Sequence, residues 1–573
     1  MSRQQKLQNA VWLHRQGRLR AAAEIYVELI RENLHDVEAM RLLGTVYLQA
    51  SDFQQAEKVL QRALSANPAD ADVRVCLARA LHELSRGDEA RRHAEMAKRL
   101  DPSRPDVHSL LGVFHLGAGE YRDAEDCFRD ALAFDSHDTT VILHLALTLK
   151  KQERWREAAG WYRRVADATS DAKARVWMAA ALARVGDDDA AIAQFESALD
   201  EHSDSADPHN QFAALLLEKN DFDGFRVECS RAIEVDKANP YTYLQLVDAG
   251  VCLLDSQCAY LDSLLQSTGL ADCNQVIGHF AMGHHFRIRE QWSDSWRHLL
   301  RANELLGEMM PSDLRGAIAD MAECQRFFTK DILELSGDLA IDAAIRPVFV
   351  VGMPRSGKST VERLLACHSH VAMGSELKTL HRLSPRIHLD ITRWRRGNVK
   401  LTDVRATLGL LGGEYEKCLA QFCRGANASM VSNSYPWNHL ELGIVAILWP
   451  NAIVVHCQRK PIDIAWECLG KYFARAQPFG RDLSEIEEMA CEYEALMAFW
   501  GDTLPIPIHK VSFEELHFDL VDTTNDLARK IGLDTNDFDG SALNGEVSRI
   551  ERMKSAGSLA CSRKRYEQFL DSP

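Results

Sequence analysis

Long apolar runs are missing from this sequence: none approaches the ~20 residues that a membrane-crossing helix needs. The opening residues, MSRQQKLQNAVWLHRQ, hold no apolar core of the kind a secretory leader carries, so a cytoplasmic protein is expected. C-x-x-C pairs are missing as well. The 14 cysteines are scattered, which predicts reduced and mostly buried thiols, not a disulfide framework or a zinc centre, and no metal is expected. Basic residues are in deficit, leaving a formal net charge of −16. That balance excludes broad nucleic-acid binding, because phosphate backbones are held by basic surfaces. An anionic ligand must instead find a local basic pocket.

What is present is length and apolar content. With 573 residues, 46% apolar and 26% charged, the chain exceeds one ordinary domain and can bury a large core. Its first half repeats with a period of 34: Ala10, Gly44, Ala78, Gly112, Ala146, Ala180 and Ala214 are small residues in register through seven units. A second small-residue column, Ala22, Ala56, Ala90, Ala124 and Ala158, lies twelve positions later, with slips of a residue or two further on. Pro68 and Pro102 close the second helices of their units. A single helix pair of this kind cannot bury its own apolar face, so neighbouring pairs stack and expose a concave surface.

From about 240 to 345 the period fades, although HFAMGHHFRIREQWSDSWRHLLRANELL reads as one more divergent helix pair. Beyond it the pattern changes. RPVFVVGM, ASMVSNS, NAIVVHCQ and PIHKVSFEEL are short apolar strands separated by helical stretches, which predicts an α/β domain with a largely parallel sheet. The expected organisation is 1–240 repeats, 241–345 divergent helical repeat and linker, and 346–573 the α/β domain.

The first strand runs into GMPRSGKST and then a helix, so backbone N–H groups and the positive helix end converge on one point. Gly352, Gly357, Lys358 and Ser359 satisfy G-x-x-x-x-G-K-[ST], the phosphate-loop pattern. A nucleotide kinase or hydrolase also needs an acidic residue at a neighbouring strand end to hold Mg²⁺. The candidate strands end instead in His456, Cys457 and basic residues, or in neutral ones, which suits an anion bound without metal.

The repeats, with LLGTVYLQASDFQQAEKVLQRALSANP as the clearest copy, resemble the tetratricopeptide repeat family. PVFVVGMPRSGKSTVERLLACHSHVAMGSEL resembles the phosphosulfate-binding segment of sulfotransferases that use 3′-phosphoadenosine 5′-phosphosulfate (PAPS). The likeness continues through SYPWNHLELG, PNAIVVHCQRKPIDIAW, EYEALMAFW and KVSFEELHFDLVDTTNDLARKIGL, and is strongest to bacterial proteins with repeats ahead of a sulfotransferase domain related to tyrosylprotein sulfotransferases. The implied fold is an all-α superhelix followed by a P-loop-like three-layer α/β domain with a parallel sheet. The implied activity is PAPS-dependent sulfuryl transfer to a hydroxyl, on protein tyrosine or glycan, with a protein or peptide bound by the repeats. Two alternatives stand beside it: a non-enzymatic repeat scaffold with a degenerate sulfotransferase domain, and a P-loop kinase or nucleotide hydrolase.

By the same resemblance, Pro354, Arg355, Ser356, Gly357, Lys358, Ser359 and Thr360 hold the 5′ end of PAPS, Glu376 is the catalytic base with Arg355 and Lys358 as catalytic cations, and Arg459 grips the 3′-phosphate. His368 and His370 occupy positions expected to be structural. The chain departs from the family pattern in four places, one of them the C-terminal arginine and RW segment, which here reads SRIERMKSAGSLACSRKRYEQF. Lys358 stands where the family has threonine, Ser434 replaces a lysine, and Glu467 replaces a serine that binds the 3′-phosphate. Lys471, one helical turn beyond Glu467, is expected to offset its charge and to join the cofactor-binding residues. Arg552, Arg563, Lys564 and Arg565 are the candidates for a C-terminal phosphate contact.

Overall fold

Close approach of helices through small residues organises the N-terminal half. In the structure, a computed structural model, residues 2–169, 171–200, 205–423, 428–473, 479, 482–555 and 565–566 are described, the side chains of 552–555 excepted. The chain divides into two compact units, Met1–Met178 and Ala179–Pro573. The first holds five antiparallel helix pairs, beginning Arg3–Arg15 with Leu19–Glu32 and ending Thr139–Lys151 with Trp155–Thr169. Ala22, Ala56, Ala90, Ala124 and Ala158 are all fully buried. A Cβ on Gly44 would stand 2.6 Å from Leu60, and one on Gly112 would stand 2.6 Å from Phe128, so only glycine admits these side chains. Aspartates cap several first helices: Asp36, Asp70 and Asp138 accept N–H bonds from Ala39, Val73 and Val141.

The 34-residue register slips once. Ala180 is half-buried and Ala214 exposed, and the buried positions are Ala179 and Ala213. The turns within the pairs show the same slip. Left-handed residues recur at Gly17, Ser51, Ser85, Gly119 and Glu153, then at Gly186 and Asn220, so the step from 153 to 186 is 33 (186 − 153) where the others are 34. One residue has been lost there, and each later helix turns by one position to keep its small residue inward.

The second unit contains the helix pairs Ala172–Arg184 with Asp188–Asp200, apart from the first residues of that pair, and Ala206–Glu218 with Phe222–Val235. A further pair, Asp272–Ile288 with Trp292–Met309, repeats the glycine approach, since a Cβ on Gly283 would lie 2.8 Å from Leu299. This spacing of sixteen (299 − 283) is the one seen between Gly44 and Leu60 and between Gly112 and Phe128.

The α/β part carries five strands: β1 (Arg346–Val351), β2 (Val371–Met373), β3 (Met430–Asn433), β4 (Ile453–Gln458) and β5 (Ile508–Ser512). They form one sheet in the order β2-β3-β1-β4-β5, every pair parallel. Val348 and Val350 face a core with Leu364, Leu365, Leu527 and Ala528. Phe349, pointing the other way, stacks on Tyr415 with ring centroids 6.2 Å apart. Helices on both faces make the three layers that a buried parallel sheet requires. The edge strand β2, only three residues long, was not among the strands expected from sequence.

Helical and α/β parts of the second unit share polar contacts. Asn303 Nδ2 donates to the Leu469 carbonyl at 2.8 Å, and His284 Nε2 lies 2.6 Å from the Gly470 carbonyl. All described cysteines are free; seven are buried, while Cys252, Cys273 and Cys491 are exposed, so burial is less general than the scattered pattern suggested.

Phe128 is fully buried beneath Gly112. Phe128→Ala is expected to cost the first unit about 3–5 kcal/mol, read as a lowered urea midpoint of the full chain followed by circular dichroism. A loss below about 1 kcal/mol would contradict this packing.

Candidate active site

The phosphate loop follows β1, the middle strand, and sits at the carboxyl end of the sheet, where an open parallel sheet places its ligands. Arg355 (φ 69°) and Gly357 (φ 100°) are left-handed, a backbone pattern that turns successive N–H groups toward one concavity. The helix Lys358–Ala366 starts immediately after it. Gly352 is obligatory: a Cβ there would meet Ser356 Oγ at 2.3 Å and the Cys457 carbonyl at 2.9 Å.

Inside this loop the cation and the hydroxyl are buried and unsatisfied. Lys358 is 7% exposed and Ser356 1% exposed, and among the described residues neither Lys358 Nζ nor Ser356 Oγ has a hydrogen-bond partner. Burial pushes the Lys358 ammonium down to about 8, opposed by the negative charges of Glu376 and Glu362. An orphaned ammonium at a helix N-terminus fits an anionic ligand. Of the other loop residues, the Pro354 carbonyl accepts from Cys468 Sγ at 3.8 Å, Ser359 is exposed and Thr360 half-buried. Glu376 is exposed and within electrostatic reach of Lys358, so the structure brings together the carboxylate and the lysine that the sequence nominated.

Arg459 follows β4 and reaches back to the loop. Its Nη1 donates to the Arg355 carbonyl at 2.7 Å, and its guanidinium stacks over the Phe513 ring at 4.0 Å. Glu467, 5% exposed, lies between the two arginines, its carboxylate 3.2 Å from Arg355 Nη2 and 3.6 Å from Arg459 Nη2. The expectation that Lys471 offsets Glu467 is corrected here. Lys471 pairs with Asp248, which also lies 2.9 Å from His284 Nδ1, and against its burial Asp248 falls well below the usual carboxylate range, chiefly through the Lys471 charge. The two loop-side arginines offset Glu467 instead. His368 is structural: Nε2 lies 2.9 Å from the Asp534 carbonyl and Nδ1 accepts the His370 N–H at 3.2 Å. Arg563 and Lys564, and the side chain of Arg552, lie outside the described residues; Arg565 is exposed.

Sequence reasoning missed two residues. Glu362, 2% exposed, sits one helical turn beyond Lys358. One carboxylate oxygen accepts from Ser432 Oγ at 2.7 Å and the Ser375 N–H at 2.9 Å, and the other accepts from Ser434 Oγ at 2.6 Å. Burial raises its pKa against these donors. The available signal was a charged residue inside the apolar run of VERLL. Arg287, on the helix Asp272–Ile288, is the second. Burial lowers its pKa, and it lies within the fields of Glu467 and Arg355.

Residues 347–537 match the sulfotransferase family, and tetratricopeptide repeats match at 13–71, 47–113 and 143–208. The chain carries tetratricopeptide repeats and a sulfotransferase-family domain. An uncharacterized protein of Aquifex aeolicus is 25% identical over 291 residues, 48% of this chain and 37% of the relative. Cellulose synthase operon protein C of Xanthomonas axonopodis pv. citri is 30% identical over 155 residues, 26% of this chain and 10% of the relative. The matches thus span well under half of either relative's length. Among solved structures, YrrB, described as a TPR protein with an unusual peptide-binding site, is 22% identical with a TM-score of 0.29, covering 31% of this chain and 92% of that one. A thermophilic TPR protein of Thermus thermophilus, TTC0263, is 23% identical with a TM-score of 0.29, covering 32% of this chain and 99% of that one. In the sulfotransferase-family domain, the match runs from β1 through β5 and includes the phosphate loop, Glu376, Arg459 and Glu467.

The folded-state pKa of Lys358 lies below the 10.5 of the free side chain. Between about 8 and 10.5 the unfolded chain binds the extra proton, so this residue's contribution to stability rises with pH across that window. Lys358→Met should therefore be the more stable protein at pH 7, with its advantage shrinking by roughly 3 kcal/mol by pH 10.5 in denaturant titrations. A constant difference would contradict the buried charge. Glu362→Ala strands the Ser375 N–H and two hydroxyls, and a loss of about 2–4 kcal/mol is expected in the same assay, smaller for Glu362→Gln.

Proposed function

We propose that this protein is a PAPS-dependent sulfotransferase acting in the cytoplasm on a hydroxyl group, of protein tyrosine or glycan, brought to it by the repeats. The observation that carries the reading is the buried, unpartnered Lys358 ammonium with Ser356 Oγ in the loop of a sulfotransferase-family domain. These orphaned donors fit the 5′ end of the nucleotide, together with Pro354, Arg355, Gly357, Ser359, Thr360 and the helix N-terminus. PAPS supplies the sulfuryl group, and adenosine 3′,5′-bisphosphate leaves as the acceptor oxygen takes the sulfur.

Lys358, charged below pH 8, lies where negative charge grows on the leaving phosphate and holds it without a metal. Glu376 accepts the proton of the acceptor hydroxyl; its exposure lets an incoming group reach it. Glu362 keeps the turn carrying Glu376 in place through the Ser375 N–H. Arg459 is the residue proposed to face the 3′-phosphate, with Glu467 beside it. A protein or peptide is the proposed partner of the repeats, in keeping with their family.

A non-enzymatic scaffold is the second reading, and Glu467 favours it by engaging two arginines that the reaction needs. Calorimetric titration with adenosine 3′,5′-bisphosphate separates the readings. Micromolar binding is expected, indifferent to Mg²⁺ and weakened about tenfold or more in Lys358→Ala. Preference for Mg-ATP would sink the sulfotransferase reading in favour of a kinase, and silence with every nucleotide would favour the scaffold.

A further inference from the structure

Arg355 and Arg459 are the cations that flank the phosphate loop, and a buried carboxylate of the chain itself already lies between them. Glu467 belongs to the helix Pro461–Leu469, is 5% exposed, and ion-pairs at 3.2 Å with Arg355 and at 3.6 Å with Arg459. Arg459 is positioned further by the Arg355 carbonyl, which takes its Nη1, and by the Phe513 ring beneath its guanidinium. Lys471, the nearest lysine on that segment, is committed to Asp248. Arg287 adds one more positive charge near Glu467, from the helical part. Among the described residues, Lys358 Nζ and Ser356 Oγ are buried without a hydrogen-bond partner, and Arg459 Nε is likewise unpartnered although Glu467 lies beside its Nη2. The loop thus presents donors with no carboxylate bonded to them, whereas the two arginines already share one, Glu467.

The geometry points to Glu467 as a specificity-determining residue that occupies the place of a ligand's second anionic group. The inference rests on the sulfotransferase reading and deepens it. The donor class recognised is an adenosine nucleotide held by its 5′-phosphosulfate or 5′-phosphate end, with a 3′-phosphate adding little affinity. A second phosphate brought to Arg459 meets a carboxylate that must move, be protonated or repel it, and like charges placed together in a buried site oppose binding strongly. Arg287 lessens that repulsion without removing the carboxylate from the two arginines.

The test is calorimetry on the full chain with adenosine 5′-monophosphate and adenosine 3′,5′-bisphosphate, for wild type, Glu467→Gln and Glu467→Ser. Wild type should bind the two nucleotides with dissociation constants within about threefold of each other. Either variant should raise the preference for the bisphosphate by about tenfold or more, because both arginines are then free to accept its second phosphate. Melting curves identify a variant that fails to fold; the wild-type comparison then decides alone. A wild-type preference for the bisphosphate above about tenfold, or a preference unchanged in folded variants, overturns the inference and leaves the sulfotransferase reading intact. If neither nucleotide binds any of the three proteins, that reading fails and this inference falls with it.

Discussion

Glu362 is a charge that the folded chain has to satisfy internally, and the site is arranged around the satisfaction of that charge. Buried in the helix behind the phosphate loop, it draws Ser432 and Ser434 from the end of β3 and the Ser375 backbone from the turn after β2 into one hydrogen-bonded set. A buried carboxylate without such donors is costly, so the three segments hold together or the helix loses its place. Neighbouring bonds reinforce the set: Gly374 N–H donates to Ser432 Oγ at 3.3 Å, and Ser434 N–H donates to the Ser375 carbonyl at 2.9 Å. The turn bearing Glu376 inherits its position from a residue fourteen places earlier (376 − 362).

The same set takes in two residues that the resemblance marks as departures. Ser434, set by that resemblance against a lysine, ends its short hydroxyl on Glu362. Lys358, set against a threonine, has an ammonium that feels the fields of both Glu362 and Glu376. A positive charge thus remains beside the two carboxylates, supplied from the loop in place of the strand end. The low dielectric around it lowers the Lys358 pKa, a cost that a threonine would not incur and that an anion in the loop would relieve.

Much of the fold was legible because it obeys periods. The small-residue columns announced the helix pairs, and four of the five strands were apolar runs bounded by turns. The three-residue β2 escaped because so short a segment has no alternation to display, and the register slip escaped because Ala179 and Ala180, like Ala213 and Ala214, are adjacent alanines that sequence cannot tell apart. In the site, the phosphate loop was legible from local pattern, whereas Glu376 was nominated through the family resemblance alone. What was not legible was pairing at long range. Glu467 meets Arg355 over 112 residues and Lys471 meets Asp248 over 223, and nothing in the neighbourhood of any of them announces its partner.

The left-handed residues inside the helix pairs carry one more implication. Gly17 and Gly119 adopt that conformation freely, whereas Ser51, Ser85 and Glu153 adopt it with a side chain attached. Each such residue costs on the order of 1 kcal/mol, borne by its own helix pair because stacked repeats touch only their neighbours. The local cost along the array is therefore uneven: the pairs turned on Gly17 and Gly119 are spared it, and those turned on Ser51, Ser85 and Glu153 carry it.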